Sequence, residues 1–223
     1  MLQNTMFSPE SSWSVPDVFP QFSETETVAI DLETYDPHLM TCGPGWATGR
    51  GQVVGIGVAV DNWQGYFPIR HKGGGNLDET VVIRWLSNLL SSEKRDVIFH
   101  NALYDVGWLR REGIIVKGKI LDTIVAAPLI DENRFSYSLD NLGDHYCDEK
   151  KDESLLQDAA LAYGINPKSE MYKLPAKYVG PYGEQDAALT LKLWHKLKLE
   201  ISDQNLDSIL EMECKLIPLL LEM

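Results

Sequence analysis

No stretch of about 18 consecutive apolar residues occurs in the 223-residue sequence, which excludes a membrane-spanning helix. The first twenty residues are polar and proline-bearing, so no secretory signal is expected there. Cysteine is scarce. Cys42, Cys147 and Cys214 are odd in number and far apart, which fits neither a disulfide framework nor a thiolate metal site, and predicts a reducing, cytoplasmic setting. Positive charge is also short, with 20 Lys and Arg against 33 Asp and Glu, a net charge of −13. That argues against a protein gripping nucleic acid by its overall charge, but leaves room for local basic patches and for an acidic site that takes cations. The glycine-rich "HKGGGNLDE" lacks the Gly-Lys-Ser/Thr ending of a phosphate-binding loop and reads as a turn.

The hydrophobic share is 44% and the charged share 24%, enough apolar material for one good core. Residues 1–24, rich in Ser, Pro and Gln, read as an extended arm. Strands are expected at 26–33, 53–60, 64–69, 96–100 and 118–121, with Asp61-Asn62 turning a hairpin between the second and third. Residues 36–51, with two prolines and four glycines, read as a long irregular loop. Helices are expected over 77–91 and 102–111, and another opens at Asp122-Thr123, with Asp122 as its N-cap. Helical segments dominate from there. "LDSILEMECKLIPLLLEM" closes the chain as an amphipathic helix whose apolar ending points to a longer protein. Strands first, then alternation, then helices predicts an α/β fold, a mixed sheet covered by helices.

Within this pattern four acids stand where apolar residues are due. In "VAIDLETYDP", strand alternation sends Asp31 and Glu33 to one face. In "NALYDVGWLRR", Asp105 shares a helical stripe with Ala102, Val106 and Leu109. In "PYGEQDAALTLKLWHKL", Asp186 shares one with Tyr182, Leu189, Leu193 and Leu197, and Pro181 suits the first helical position. Any one of these could be an acid satisfied by a cap or an ion pair. Four converging carboxylates repel one another and require cations. Oxygen ligands without His or Cys suit Mg²⁺ or Mn²⁺, and a pair of such ions suits phosphodiester chemistry.

Asp31-x-Glu33, Asn101-x-x-x-Asp105 and Tyr182-x-x-x-Asp186, in that order on strand, helix and helix, resemble the three motifs of the DEDD 3′–5′ exonuclease superfamily, tyrosine subtype. The resemblance spans roughly residues 26–203. Three further stretches, "YFPIRHKGGGNLD", "LDTIVAAPLIDENRFSYSLDNL" and "EMECKLIPLLLEM", are similar to the proofreading domain of phage-type family A DNA polymerases. The resemblance implies a ribonuclease H-like fold with a five-stranded mixed sheet flanked by helices. It implies an exonuclease domain over 25–203, with 204–223 beginning a connection to a polymerase domain. It implies two divalent cations, Mg²⁺ or Mn²⁺: one on Asp31, Glu33 and Asp186, the second on Asp31 with Asp105. Tyr182 would orient the attacking water. Thr34, Asn101 and Tyr104 would touch the terminal nucleotides, with Tyr104 stacking on a base or simply packing. The substrate implied is a single-stranded or mismatched DNA 3′ end, and the product a nucleoside 5′-monophosphate. The 36–51 loop is longer than in the bacterial repair polymerases and could shape the strand entrance. Lys168, Lys173 and Lys177 precede the tyrosine motif and could meet backbone phosphates, but each reads first as part of a solvated charged face. Two alternatives stay open: an RNA-trimming enzyme resembling ribonuclease D, against which the acidic charge and the last helix speak, and a catalytically silent scaffold, against which the intact acids and tyrosine speak.

Overall fold

The computed structural model describes residues 8–223. Three strands come first, β1 (Val28–Tyr35), β2 (Gln52–Val60) and β3 (Trp63–Pro68). Two short helices, α1 (Leu39–Cys42) and α2 (Gly45–Thr48), lie between β1 and β2. Then follow α3 (Glu79–Leu89), β4 (Asp96–Phe99), α4 (Ala102–Arg111), β5 (Lys119–Asp122) and α5 (Thr123–Ile130). The remainder is helical: α6 (Leu139–Cys147), α7 (Ser154–Tyr163), a 3₁₀ turn (Met171–Lys173), α8 (Ala176–Asp203) and α9 (Asp207–Leu220). The sheet order is β3-β2-β1-β4-β5, with β1 antiparallel to β2 and parallel to β4. This is the ribonuclease H-like mixed sheet that the sequence motifs imply.

The central strand is β1, and its two faces differ. Leu32 is paired with Ile56, which in turn pairs with Phe67, and that face is covered by Trp85 of α3 and by Phe19 of the arm. Asp31 and Glu33 point to the other face, where α8 lies. The arm expected over 1–24 has no regular structure over its described part, and residues 1–7 lie outside the described residues. It is held along its length. Arg95, 3% exposed, donates to the carbonyls of Ser23, Glu26 and Leu89. Trp85 donates to the Pro20 carbonyl, and Trp13 to Glu184 of α8 at 2.8 Å.

Two expectations need correction. Pro181 is not the first residue of its helix: α8 starts five residues earlier, at Ala176. A proline at this depth leaves the carbonyl four residues back without its helical donor. That carbonyl, of Lys177, accepts a 2.8 Å hydrogen bond from the Ser11 hydroxyl of the arm, so the helix continues through the proline. The 36–51 segment is not irregular throughout either. Asp36 Oδ2 accepts from the Gly45 amide at 2.8 Å, Arg111 donates to the Gly45 carbonyl, and Trp46 lies against Gly107 of α4. These ties fold the segment into α1 and α2, a result that depends on residues some 60 positions away and is invisible in local composition.

Candidate metal centre

Asp31 and Glu33 stand opposite Gly57 and Gly55 of β2, and Ile56 opposite Leu32. The glycines clear the sheet surface beside both acids. A Cβ on Gly57 would lie 2.3 Å from the carbonyl oxygen of Gly183, so main chain meets main chain where α8 crosses the sheet. Gly183 in turn has the ring of Tyr66 against it, 2.5 Å from where its Cβ would be. This close approach brings Tyr182 and Asp186, the neighbouring turn of α8, over the two acids of β1.

The outcome is a tight carboxylate trio. Asp31, Glu33 and Asp186 each offer an oxygen within 4.8 Å of the others. Glu33 and Asp186 are buried, at 8% and 5% exposure, and Asp31 is partly accessible. Asp105, also buried, stands outside the trio but close enough to feel Asp31. Burial, then Asp186, pushes the Asp31 carboxyl up to about 7, with Lys151 opposing. Burial, then Asp31 and Asp186, holds Glu33 well above the usual carboxylate range. Asp105 is raised by burial, then by Asp31 and Asp122. Asp186 is raised by burial and pulled back by Lys151. The charges are thus unfavourable as they stand, and each would be relieved by a cation.

The donor set fits such an ion. It is oxygen only, which suits Mg²⁺ or Mn²⁺. Asp186 Oδ1 is buried and, among the described residues, accepts no hydrogen bond. Lys151 Nζ hydrogen-bonds the other oxygen, Oδ2, at 3.1 Å, and sits 3.0 Å from Oδ1 without the alignment of a bond.

Lys151 is the member that the sequence did not disclose. Only 8% of its side chain is exposed; it pairs with Asp140 at 2.9 Å and lies 3.4 Å from the Tyr182 hydroxyl and 4.9 Å from its ring centre. In the sequence it is one of two adjacent lysines, Lys150 and Lys151, among charged neighbours, with no pattern to mark it as buried. Asp122 also does more than cap. Beyond accepting from Ile124 at 2.9 Å, it accepts from the amides of Asn101 at 2.9 Å and Ala102 at 2.7 Å. It therefore fixes the start of α4, and with it Asp105, one turn on. Asn101 there adopts the left-handed conformation, φ 79°, that asparagine tolerates better than most residues.

Tyr182 lies beside the trio. Burial, followed by Glu33, Asp186 and Asp31, raises its phenol far above the ordinary range, so it stays neutral. Thr34 and Tyr104 meet at the far end of β1. The Tyr104 hydroxyl donates to Asp36 Oδ2 at 3.2 Å, so Thr34 is the donor in their 2.8 Å contact. The Asn101 side chain is exposed and makes no cap bond. Lys168 is exposed near Lys150 and Asp140, Lys173 pairs with Glu170, and Lys177 lies over the ring of Tyr178.

A family model described as a 3′–5′ exonuclease, of the DNA polymerase A type, matches residues 14–202. The DNA-directed DNA polymerase of Pseudomonas phage M6 is 39% identical over 228 residues, covering 98% of this chain and 34% of that protein. The chain spans about a third of the length of the phage polymerases it matches. Among solved structures, Brucella melitensis NrnC with bound Mg²⁺ aligns at a TM-score of 0.61 and 16% identity, over 89% of this chain and 84% of that one. Escherichia coli RNase D, an exoribonuclease involved in structured RNA processing, aligns at 0.59 and 15%, over 89% and 45%. At such identities the likeness is one of fold.

Proposed function

We propose, from the premise that the chain belongs to the 3′–5′ exonuclease domain family of A-type DNA polymerases, that it removes nucleoside 5′-monophosphates from single-stranded or mismatched DNA 3′ ends. The observation that carries this is the trio of Asp31, Glu33 and Asp186 gathered within 4.8 Å where α8 crosses the sheet. The phage polymerase relatives, which extend well beyond this chain, support a proofreading role beside a polymerase domain.

Asp31, Glu33 and Asp186 would hold one divalent cation, and Asp31 with Asp105 a second. Such a pair, when bound, supplies a water of lowered pKa and a counter-charge for the leaving oxygen. The protein's own groups then do the positioning. Tyr182, kept neutral by its buried acidic surroundings, cannot act as a base at working pH. It can orient water through its hydroxyl. Lys151, held by Asp140 and Asp186, donates to that hydroxyl at 3.4 Å and brings a positive charge beside it. Thr34, Asn101 and Tyr104 adjoin the acids as contacts for the terminal nucleotide.

Tyr182→Phe is therefore expected to slow cleavage by about 10- to 100-fold without abolishing it, since orientation is lost and metal ligation is not. Single-turnover rates on a labelled oligonucleotide check this, and a wild-type rate would remove Tyr182 from the mechanism. The function itself is tested with 5′-labelled single-stranded DNA and a matching RNA, each in Mg²⁺, Mn²⁺ or EDTA. A metal-dependent ladder shortening from the DNA 3′ end is expected. A ladder on RNA alone would move the chain to the RNA-trimming branch whose fold it shares, and intact strands throughout would refute the nuclease reading for this segment.

A further inference from the structure

The acid cluster accounts for β1 as far as Glu33, but the strand runs two residues further. Tyr35 lies about 7 Å beyond Glu33 along the strand, past the register shift between Glu33 and Thr34, and packs against the 3₁₀ turn that precedes α8. It is partly exposed, and its ring lies 4.1 Å, centre to centre, from that of the buried Tyr172, tilted by 36°. Two ammonium groups flank the pair: Lys72 Nζ at 4.9 Å and Lys173 Nζ at 5.9 Å from the Tyr172 ring centre. Lys173 is paired with Glu170. Lys72 is exposed and, among the described residues, has no carboxylate within ion-pair distance.

The glycine loop puts Lys72 there. In "HKGGGN" the Lys72 amide donates to the Tyr172 carbonyl at 2.8 Å, and the Ala176 amide donates to the Gly74 carbonyl at 2.9 Å. Gly73 comes so close that a Cβ would lie 2.2 Å from the Pro175 nitrogen, and Gly74 has a φ of 90°. Gly73 and Gly75 thus lie against the segment leading into α8 while Gly74 takes the left-handed turn between them, and the lysine that opens the run is delivered beside the tyrosine pair. A glycine run with no phosphate-loop ending and no part in the acid cluster is thereby given a purpose. In a chain of net charge −13, Lys72 places a positive charge beside a supported aromatic ring within reach of the candidate phosphodiester site.

We propose that Tyr35, backed by Tyr172 and flanked by Lys72, is a nucleotide subsite for single-stranded DNA adjoining the acid cluster. The base stacks on Tyr35 and the ammonium of Lys72 meets the backbone phosphate, the pairing of aromatic platform and cation by which single strands are held without sequence preference. Tyr172 keeps the Tyr35 ring in place, so little side-chain freedom is lost on binding.

This rests on the nuclease reading, and the test separates the two. Binding of a fluorescent ten-nucleotide single strand is measured by anisotropy in EDTA for the wild type, Tyr35→Leu and Lys72→Ala. Cleavage of the same strand is then followed in Mg²⁺. Tyr35→Leu is expected to weaken binding about tenfold. Lys72→Ala should lower the slope of log affinity against log salt by about 0.7, the loss of one phosphate contact. In cleavage both losses should fall on KM rather than kcat. If the wild type cleaves and both variants bind and cleave as it does, the subsite is wrong while the nuclease stands. If the wild type neither binds nor cleaves, both readings fall. Lys72→Arg, which keeps the charge, should restore the salt slope, and failure to do so would remove Lys72 from the contact.

Discussion

Asp186→Ala is expected to cut the rate of 3′-end cleavage by at least about 10³-fold, some 4 kcal/mol at 1.36 kcal/mol per decade, and to leave the fold in place. Asp186 supplies one corner of the trio and holds Lys151, and no neighbouring acid among the described residues can replace it there. The fold survives because Lys151 keeps Asp140 as a partner at 2.9 Å and the helix stripe below Asp186 stays intact. Asp31→Ala should be equally inactive, but with a different thermal signature. Among the described residues Asp31 makes no salt bridge, and it stands among like charges that Lys151 only partly opposes. Removing it relieves repulsion, so in EDTA its melting temperature should rise above that of the wild type. Asp186→Ala, which gives up an ion pair, should show no such gain. Cleavage assays with circular dichroism melts read both effects, and wild-type cleavage by Asp186→Ala would refute the role given to that acid.

The second large effect is a stability that depends jointly on pH and metal. The Asp31 carboxyl titrates near 3.8 when unfolded and is pushed up to about 7 in the folded chain, first by burial and then by Asp186. The folded protein therefore holds a proton that the unfolded chain has given up between those values. The stability that this proton provides is fully present below pH 4 and is lost as pH rises through about 7. Glu33 and Asp105 shift in the same direction and add to the trend. In EDTA the unfolding free energy is expected to fall by about 2 kcal/mol from pH 5 to pH 8, with partial solvent access at Asp31 moderating the change. Mg²⁺ competes with those protons, so it should stabilise the protein more at pH 8 than at pH 5. Urea melts at the two pH values, with and without the ion, measure this. A metal effect equal at both would mean that the ion does not bind at these carboxylates.

The residues that were legible in the sequence share one property: a short local pattern ties them to their neighbours. Period two placed Asp31 and Glu33 on one face, and helical spacing placed Asp105 and Asp186 on buried stripes. All five strands fall within two residues of expectation for the same reason. What was illegible depends on contacts far along the chain. Lys151 is buried by Asp140 and Asp186, the latter 35 positions on. The start of α8 ahead of Pro181 relies on a hydroxyl 166 positions away. Asp122 reads locally as a cap and does cap α5, but its second task, tying down α4, reaches back 20 residues to Ala102. The lesson of the 36–51 segment is similar: four glycines indicate turns, and only Asp36, Trp46 and Arg111 together decide that two helical turns fit between them.

The contact between Gly57 and Gly183 has a consequence for ion choice. The gap between the sheet and α8 is set where the Gly183 carbonyl oxygen rests on Gly57 of β2, with Ala187 beside the contact and the ring of Tyr66 packed against Gly183. The carboxylates from strand and helix are therefore held at a gauge that belongs to the main chain. Mg²⁺ takes oxygens at about 2.0–2.1 Å and Ca²⁺ at about 2.3–2.6 Å. The larger ion can be admitted only by carboxylate rotation on Asp31, Glu33 and Asp186, since the layers cannot close further or part without breaking their seat. Gly57→Ala would insert a methyl group into that seat and widen the gauge, shifting the preference from the smaller ion toward the larger. Titration calorimetry with both ions on the two proteins would read that shift, and an unchanged ratio would mean that the main chain does not set it.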